Sequence, residues 1–380
     1  MSSKKRNGTI DFFRFVFSMT VVIFHSNRFA VDIQHTWVPR GTLGVEFFFI
    51  VSGFLLGLSL ISHPEEKAGL ELCEDTYRFL GRKIKGVFPD YAVAFIIAFL
   101  AMSFYWTPST FIDWAEMFVK TIPEFTFLTM AGFPTTAVNG VDWYLSAMFL
   151  GLLLIYPLAR RKPKYFLYLF APALAIFLTG AVFFTFNAIN AIKVDVGKSD
   201  WHYFLYPGMF RALGEMCFGA WLVLPSQKLK ELQLTKLGRI TCTAVEVGCY
   251  LVVLIIMMKM PGKGTADFLL LLCLGIGIMT SFSHQGLLAN FMDNKLSAAL
   301  GKLSLDLFLS NLFWRNLFYK YLEGKDISYQ KLMLQYLVLV FATALFIRLI
   351  SFLIHKSWPS VKSCSKKLLL VQKEQKENGT

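Results

Sequence analysis

The sequence predicts an all-α protein, a polytopic membrane helix bundle with about ten transmembrane helices and both termini in the cytoplasm. Hydrophobic residues make up 55% of the chain and charged residues only 17%, and the mean hydropathy is +0.53. A soluble domain of this length needs far less apolar surface for its core, so the excess is predicted to face lipid. Apolar runs of bilayer length recur, and the lysine and arginine content alternates between the segments that connect them.

Each predicted span is an apolar run bounded by charged residues, glycine or proline. The runs lie near residues 10–30, 41–61, 87–106, 141–159, 165–186, 203–224, 240–258, 266–283, 303–321 and 332–355. The semi-apolar segment within residues 107–140 is expected to form an interfacial or re-entrant helix that lines an outer cavity. The chain therefore divides into a membrane domain, residues 1–355, and a basic cytoplasmic tail, residues 356–380.

The distribution of lysine and arginine tests this topology. With the N-terminus in the cytoplasm, the cytoplasmic segments hold 24 of the 38 lysines and arginines, whereas the outer segments hold 8. This bias satisfies the positive-inside rule, and one missed helix would invert the alternation midway. The net charge of +13 is then explained by topology. Because the basic residues sit in short clusters between apolar runs, no nucleic-acid partner is predicted.

The first predicted helix carries a stripe of polar and ionisable residues. Asp11, Arg14, Ser18 and His25 are spaced by three, four and seven residues, which places them on one helix face. Arg14 and His25 point in nearly the same direction and are separated by roughly 16 Å along the axis. Ionisable groups inside a membrane are costly, so this stripe is a candidate functional site. The structural alternative is that Asp11 and Arg14 pair at the membrane edge and His25 packs near the outer interface.

The chemistry of the stripe suits transfer between a phosphate-bearing ligand and a hydroxyl. An arginine near the cytoplasmic surface can bind an anionic phosphate, and a neutral imidazole can take a proton from a hydroxyl near pH 7. Glu46, which precedes a run of phenylalanines, is expected to orient His25, to pair with Arg28 or Arg40, or to be a simple interfacial acid.

Other polar residues in the predicted spans have structural interpretations. Arg211 and Glu215 are expected to form an i, i+4 ion pair. Asp142 is expected to cap a helix N-terminus, and Asn311 to hydrogen-bond between helices. The Ser52-Gly53 pair is expected to allow close helix packing rather than to supply a nucleophile.

Several segments resemble acyltransferase family 3, a family of bacterial membrane O-acyltransferases, over roughly residues 7–355. The strongest are TIDFFRFVFSMTVVIFH (Thr9 to His25), with an Arg-x10-His spacing, and GTLGVEFFFIVSGFLL (Gly41 to Leu56). Further similar segments are RFLGRKIKGVFPDY (Arg78 to Tyr91), VDWYLSAMF (Val141 to Phe149), RALGEMCFG (Arg211 to Gly219) and GKLSLDLFLSN (Gly301 to Asn311).

The chain departs from the family pattern in two places. Many members carry a glutamate shortly after the Trp-x-Leu-Ser segment, where this chain has Met148. The family's basic segment often has two arginines three residues apart, and here Lys83 and Gly86 occupy those places, with Arg82 and Lys85 beside them. The positive charge is retained, but the bidentate geometry of arginine is lost at these positions.

The resemblance implies an enzyme in a bacterial plasma membrane that transfers an acyl group, expected to be acetyl, from cytoplasmic acyl-CoA to a hydroxyl of a cell-surface or lipid-linked carbohydrate. Acyl-CoA is then the donor substrate, and no permanently bound cofactor or metal is expected. His25 would act as general base or carry the acyl group itself, with Arg14 beside it and Asp11 or Glu46 setting the ring orientation or local charge. The residues expected to hold the CoA phosphates are Arg14, Arg78, Arg82, Lys83 and Lys85.

Two other functions stay open on the sequence alone. A transporter or flippase of sugars or lipids would also carry polar stripes along its substrate path, although the interrupted helices of many transporters are not evident here. A non-catalytic relative that acts as a membrane partner is the third interpretation, because Met148 replaces the family glutamate.

Overall fold

The computed structural model of the chain describes residues 6–30, 36–133, 137–186, 189, 206–260, 264–322 and 327–377, with side chains as far as residue 357. The structure is 85% helical, and the described residues form no strand. The predicted all-α membrane bundle is therefore confirmed.

The helices are numbered in the order in which they follow one another along the chain. In the described ranges they are α1 (Gly8–Ser26), α2 (Gly44–Ser62), α3 (Gly69–Trp106), α4 (Phe111–Phe125), α5 (Trp143–Arg161), α6 (Pro163–Tyr165), α7 (Ala171–Phe186), α8 (Pro207–Glu231), α9 (Lys236–Lys259), α10 (Ala266–Ser283), α11 (Leu288–Met292), α12 (Lys295–Ser310), α13 (Leu312–Leu322) and α14 (Tyr329–Glu377). A π-helical segment, Phe166–Phe170, joins α6 to α7.

Eight of the helical stretches in the described residues are long and apolar enough to cross a membrane. The pair α12 and α13, bent by 42° at Asn311, brings the number to nine if it forms one span. The stretch predicted near residues 203–224 coincides with α8, which is not among these spans. Arg211 and Glu215 lower its apolarity, and both side chains are buried inside the bundle. The count of ten and the orientation of the termini stay predictions.

Two predicted boundaries differ from the helices observed. Residues 62–86 were expected to form a connecting segment, yet α3 runs without a break from Gly69 to Trp106. A search for apolar runs detects only its C-terminal half, although the charged N-terminal half is rich in Leu, Glu, Lys and Arg, which favour helix. Similarly, α14 continues past residue 356 as far as Glu377, so the predicted tail begins within a helix.

The contact between α2 and α8 forms the centre of the bundle. A Cβ atom built on Gly53 would lie 1.9 Å from the carbonyl oxygen of Met216, and one built on Gly219 would lie 2.0 Å from that of Ile50. Only glycine fits at such distances, because the two backbones touch directly. The predicted close packing at Ser52-Gly53 is confirmed, and it fixes Ser52 beside the cavity described below.

Helix α4 differs from the spans because it is short and strongly amphipathic. A capping box begins it: Asp113 N–H donates to Thr110 Oγ1 at 3.2 Å, and Thr110 N–H donates to Asp113 Oδ2 at 2.9 Å. The hydrogen bond from the Thr110 backbone, with those from Ser109, holds the pKa of Asp113 below its usual value. Phe111 and Phe118 are exposed on its apolar side. These features fit an interfacial helix, and its predicted role in lining an outer cavity stays a prediction.

The segment after α4 folds back around the buried carboxylate of Glu124. Backbone N–H groups of Val138, Asn139 and Gly140 donate to it at 2.6 to 3.1 Å. Burial, together with the neighbouring Asp142, raises the pKa of Glu124, whereas the three N–H groups oppose this shift. The carboxylate thus holds this segment against the start of α5.

Asp142 does not cap α5 as predicted. Its side chain makes no capping bond to that helix and instead accepts a hydrogen bond from Thr129 Oγ1 at 2.6 Å. The reason is that the segment after α4 packs against the start of α5, which brings a hydroxyl donor from outside the helix to this carboxylate.

Candidate active site

The polar stripe of α1 faces the interior of the bundle, as predicted, and lies along α12. A Cβ atom built on Gly301 would lie 2.6 Å from Asp11 Oδ1, so α12 approaches closely at this level. Farther along, Ser18 Oγ donates to the carbonyl oxygen of Ser304 at 2.9 Å. At the C-terminal end of α1, His25 contacts Asn311 at the bend between α12 and α13. The stripe therefore does not face lipid.

A cavity of about 180 Å³ opens beside the middle of the stripe. Five helices line it, namely α1, α2, α3, α5 and α12, and its polar lining residues are Arg14, Ser18, Ser52, Lys83, Tyr144 and Ser304. The apolar part of the lining is formed by Phe48, Val51, Leu55, Val87, Leu145, Met148, Leu305 and Phe308. The cavity thus combines an apolar wall with a few convergent polar groups, which is typical of small-molecule sites.

Two cations and no acid line this cavity. Arg14 comes from α1 and Lys83 from α3, and neither forms a salt bridge within the described part of the chain. Lys83 Nζ lies 5.3 Å from the centre of the Phe79 ring. Because positive charge in a bundle interior is normally matched by a carboxylate, the cavity is suited to an anionic ligand.

The hydroxyl groups on the α2 and α5 sides of the cavity converge on one sulfur atom. Ser52 Oγ lies 3.4 Å, and Tyr144 Oη 3.5 Å, from Met148 Sδ. A thioether is a weak acceptor, so Met148 competes only weakly with a ligand for these two hydroxyl groups.

His25 lies beyond this cavity, and the lining residues do not include it. It follows Ser18 by seven residues, about 10 Å along the helix axis. Asn311 lies one turn after Phe308, which lines the cavity. The site therefore has two levels, a cationic cavity near Arg14 and an imidazole about three turns farther along the same face.

The hydrogen bonds of Asn311 determine which nitrogen of His25 carries the proton. Asn311 Nδ2 donates to the carbonyl oxygen of Phe308 at 2.5 Å, so its Oδ1 atom faces the imidazole. His25 Nδ1 lies 2.5 Å from that oxygen and must donate to it. In the neutral ring Nε2 then carries the lone pair, which is the form that a general base needs.

Glu46 does not contact the residues predicted as its partners. It is fully buried and accepts hydrogen bonds from Nε and Nη2 of Arg211, the first at 2.8 Å. Arg211 Nε also lies 3.7 Å from Glu215 Oε1, so the predicted i, i+4 pair is confirmed. With Glu46 these two residues form a buried triad. The expectation that Glu46 orients His25 is wrong, because its carboxylate is occupied in the α2–α8 contact and Asn311 binds the ring.

Asp11 binds Arg6, which lies just before α1, and one of the two contacts measures 3.1 Å. Asp11 precedes His25 by 14 residues, about 21 Å along the axis. It therefore cannot orient the imidazole, and the predicted role in doing so is wrong, whereas the alternative role of Asp11 in setting the local charge stays a prediction. What the structure supports is a carboxylate that fixes the chain entering α1.

The predicted CoA-binding residues on α3 point in different directions. Lys83 lines the cavity together with Arg14. Arg82 instead lines a separate pocket where α2 ends, α3 begins and α5 ends. Arg78 is exposed and pairs with Glu74 at 3.1 Å, and Lys85 is exposed. Successive residues on a helix are turned by about 100°, so one basic segment serves two sites.

Comparison with known families identifies the family of the chain. A family model described as an acyltransferase domain matches residues 7–354 of the 380-residue chain. The chain belongs to acyltransferase family 3. No curated protein and no solved structure matches it.

In this family 3 acyltransferase, sequence reasoning missed three residues of the site. Tyr144 and Ser304 line the cavity, and Asn311 sets the imidazole tautomer. All three fall within the segments that carry the family resemblance, which was the available signal. Asn311 was interpreted as a contact between helices, because an amide in a span usually bonds to a neighbouring helix.

Proposed function

We propose that the chain is a membrane O-acyltransferase that moves an acyl group, expected to be acetyl, from cytoplasmic acyl-CoA to a hydroxyl of a cell-surface or lipid-linked carbohydrate. The observation that carries the proposal is the two-level site: two cations without an acid at the cavity, and a base-competent imidazole farther along the same helix face. Family membership favours acyl transfer over sugar or lipid transport.

The donor would enter at the N-terminal end of α1, which we place in the cytoplasm. Arg14 and Lys83 would bind a phosphate group through charge-assisted hydrogen bonds, and the narrow thioester arm would continue along the apolar wall of the cavity toward His25. Ser18 and Ser304 would border that path.

At the second level His25 would act as the general base. Nε2 would take the proton of the acceptor hydroxyl while its oxygen attacks the thioester carbonyl carbon. The carbon–sulfur bond then breaks, and the CoA thiolate takes the proton back from the imidazolium ring. Asn311 would hold the Nδ1–H throughout, so the ring would stay oriented between acceptor and donor.

The test compares His25→Ala with His355→Ala, a matched change at an exposed histidine of α14. Membranes that carry each variant are assayed for thiol release from acetyl-CoA, and the surface glycans of the cells are weighed by mass spectrometry for an added acetyl group. Loss of a general base should lower the rate at least about 100-fold in His25→Ala, whereas His355→Ala should behave as wild type. Acetylation at wild-type levels in a folded His25→Ala protein would reject the assignment.

A further inference from the structure

Two arginines lie one helical turn beyond the contact between His25 and Asn311. Arg28 follows His25 by three residues, and Arg315 follows Asn311 by four. The backbone N–H of Arg315 donates to the carbonyl oxygen of Asn311 at 3.1 Å, so α13 carries this arginine directly onward from the bend. Neither arginine lines the cavity that contains Arg14, and no step of the proposed reaction uses them.

Arg28 is held in place by the packing of the short turn that carries it. This turn, Asn27–Phe29, follows α1 and lies against α13. Arg28 Cζ lies 4.0 Å from the centre of the Tyr319 ring, and the Phe29 ring lies 5.8 Å from the Phe318 ring. A guanidinium group stacked on a ring still presents the N–H groups at its edge, so Arg28 is positioned without losing its donors.

Arg315 is half-buried, and a neutral side chain holds it. Its Nε and Nη2 atoms donate to Asn316 Oδ1 at 3.1 and 2.6 Å. Within the described residues Nη1 makes no hydrogen bond. Asn316 thus orients the guanidinium plane but does not neutralise its charge.

No carboxylate of the described residues forms an ion pair with either arginine. The ionisable groups close enough to act on Arg315 are Arg28, Tyr336 and Tyr105, and the charge of Arg315 in turn acts on His25. Two neighbouring cations repel each other, so an anion bound between them would relieve that repulsion.

The predicted topology gives these arginines no other explanation. In that topology the C-terminal end of α1 faces the outside, where the positive-inside rule disfavours arginine. Two arginines beside an imidazole at this end therefore indicate a ligand that approaches from outside.

We propose that Arg28 and Arg315 form an anion site for the acceptor, which is then an acidic carbohydrate whose reacting hydroxyl lies at His25. The inference rests on the proposed acyl transfer. One helical turn, about 5 Å, separates the arginines from His25 and Asn311, a distance comparable to the width of one sugar ring. The shared chemistry is an anionic group on the sugar, either a carboxylate or a phosphate.

The experiment measures acetyl transfer from acetyl-CoA to three sugars that differ in charge: methyl glucoside, methyl glucuronide and glucose 1-phosphate. The kcat/KM of the wild-type protein should be about 10-fold or more higher for a charged sugar than for methyl glucoside. In Arg315→Gln and in Arg28→Gln this preference should be lost, whereas the value for methyl glucoside should stay the same. The control is Lys331→Gln, which removes one positive charge from an exposed residue in the first turn of α14.

The charged sugar that loses its preference identifies the anion as a carboxylate or a phosphate. Equal values for the three sugars in the wild-type protein, or the same loss in Lys331→Gln, would overturn the proposal. The arginines could instead hold a lipid phosphate. In that case Arg315→Gln would bind phosphatidylglycerol vesicles more weakly and keep the sugar preference, which would also overturn it.

Calorimetry with the same three sugars separates this inference from the proposed reaction. Binding of a charged sugar that is lost in Arg315→Gln, in a protein that transfers no acetyl group, would leave the anion site standing and reject the acyltransferase activity. An active protein that binds all three sugars equally would reject the anion site alone, and a protein that binds neither charged sugar would overturn it as well.

Discussion

Arg211 and Arg14 are both arginines inside the helix bundle, but only Arg211 has carboxylates within ion-pair distance. In the α2–α8 contact, Arg211 binds Glu46 and lies 3.7 Å from Glu215, and all three side chains are at most 2% exposed. Arg14 instead lines a cavity with Lys83 and no acid. The difference indicates that Arg211 joins helices, and it supports the proposal that Arg14 binds an anionic ligand.

The largest effect is expected where the paired arginine is removed. Arg211→Met leaves two buried carboxylates without a cation, which should lower the free energy of unfolding by about 3 to 5 kcal/mol. Equilibrium unfolding in mixed micelles measures it. Adding Glu46→Gln and Glu215→Gln removes the stranded charges and should restore much of the stability. A loss below about 1 kcal/mol in Arg211→Met would contradict a structural role for the triad.

Arg14→Met makes the same change on the other side of the comparison. Asp11, the acid one turn away whose charge acts on Arg14, keeps Arg6 as its partner, so the free energy of unfolding should change by less than about 1 kcal/mol. The kcat/KM for acetyl-CoA should fall about 100-fold because the donor loses a charge-assisted contact. If Arg14→Met unfolded as readily as Arg211→Met, the distinction between ligand-binding and structural arginines would be lost.

A smaller effect is expected from Asn311→Ala, which removes the oxygen that fixes the imidazole tautomer. The kcat should fall about 10-fold, since both tautomers and other ring orientations become populated. The KM for acetyl-CoA should stay the same, because Asn311 does not line the donor cavity. Asn290→Ala, at an exposed position of α11, serves as control. A change in KM with kcat preserved would argue against a positioning role.

The sequence predicted the parts of the structure that depend on periodicity within one helix. Asp11, Arg14, Ser18 and His25 share a face because the helical period alone decides it. The apolar runs identified the spans for a similar reason, since length and hydropathy are local properties. The N-terminal half of α3 was missed because its charges conceal a helix from a search for apolar residues.

Contacts between distant parts of the chain were not predictable from one sequence. Glu46 and Arg211 are 165 residues apart, and nothing local to either indicates that α2 packs on α8. The same holds for Asn311, which lies 286 residues from His25 and was interpreted as a polar contact between helices. A pairing of this kind depends on the packing of the whole bundle, whereas a shared helix face depends only on spacing.

Helix α3 spans 38 residues, which corresponds to about 57 Å of helix, nearly twice the roughly 30 Å of a hydrocarbon core. Its charged half is therefore expected to extend beyond the lipid tails. Arg82 and Lys83 lie on this continuous helix and not on a flexible loop. If the proposed acyl-CoA donor binds there, its binding should require little ordering of the backbone. Its association rate should fall steeply as ionic strength rises, in the manner of electrostatically steered encounters.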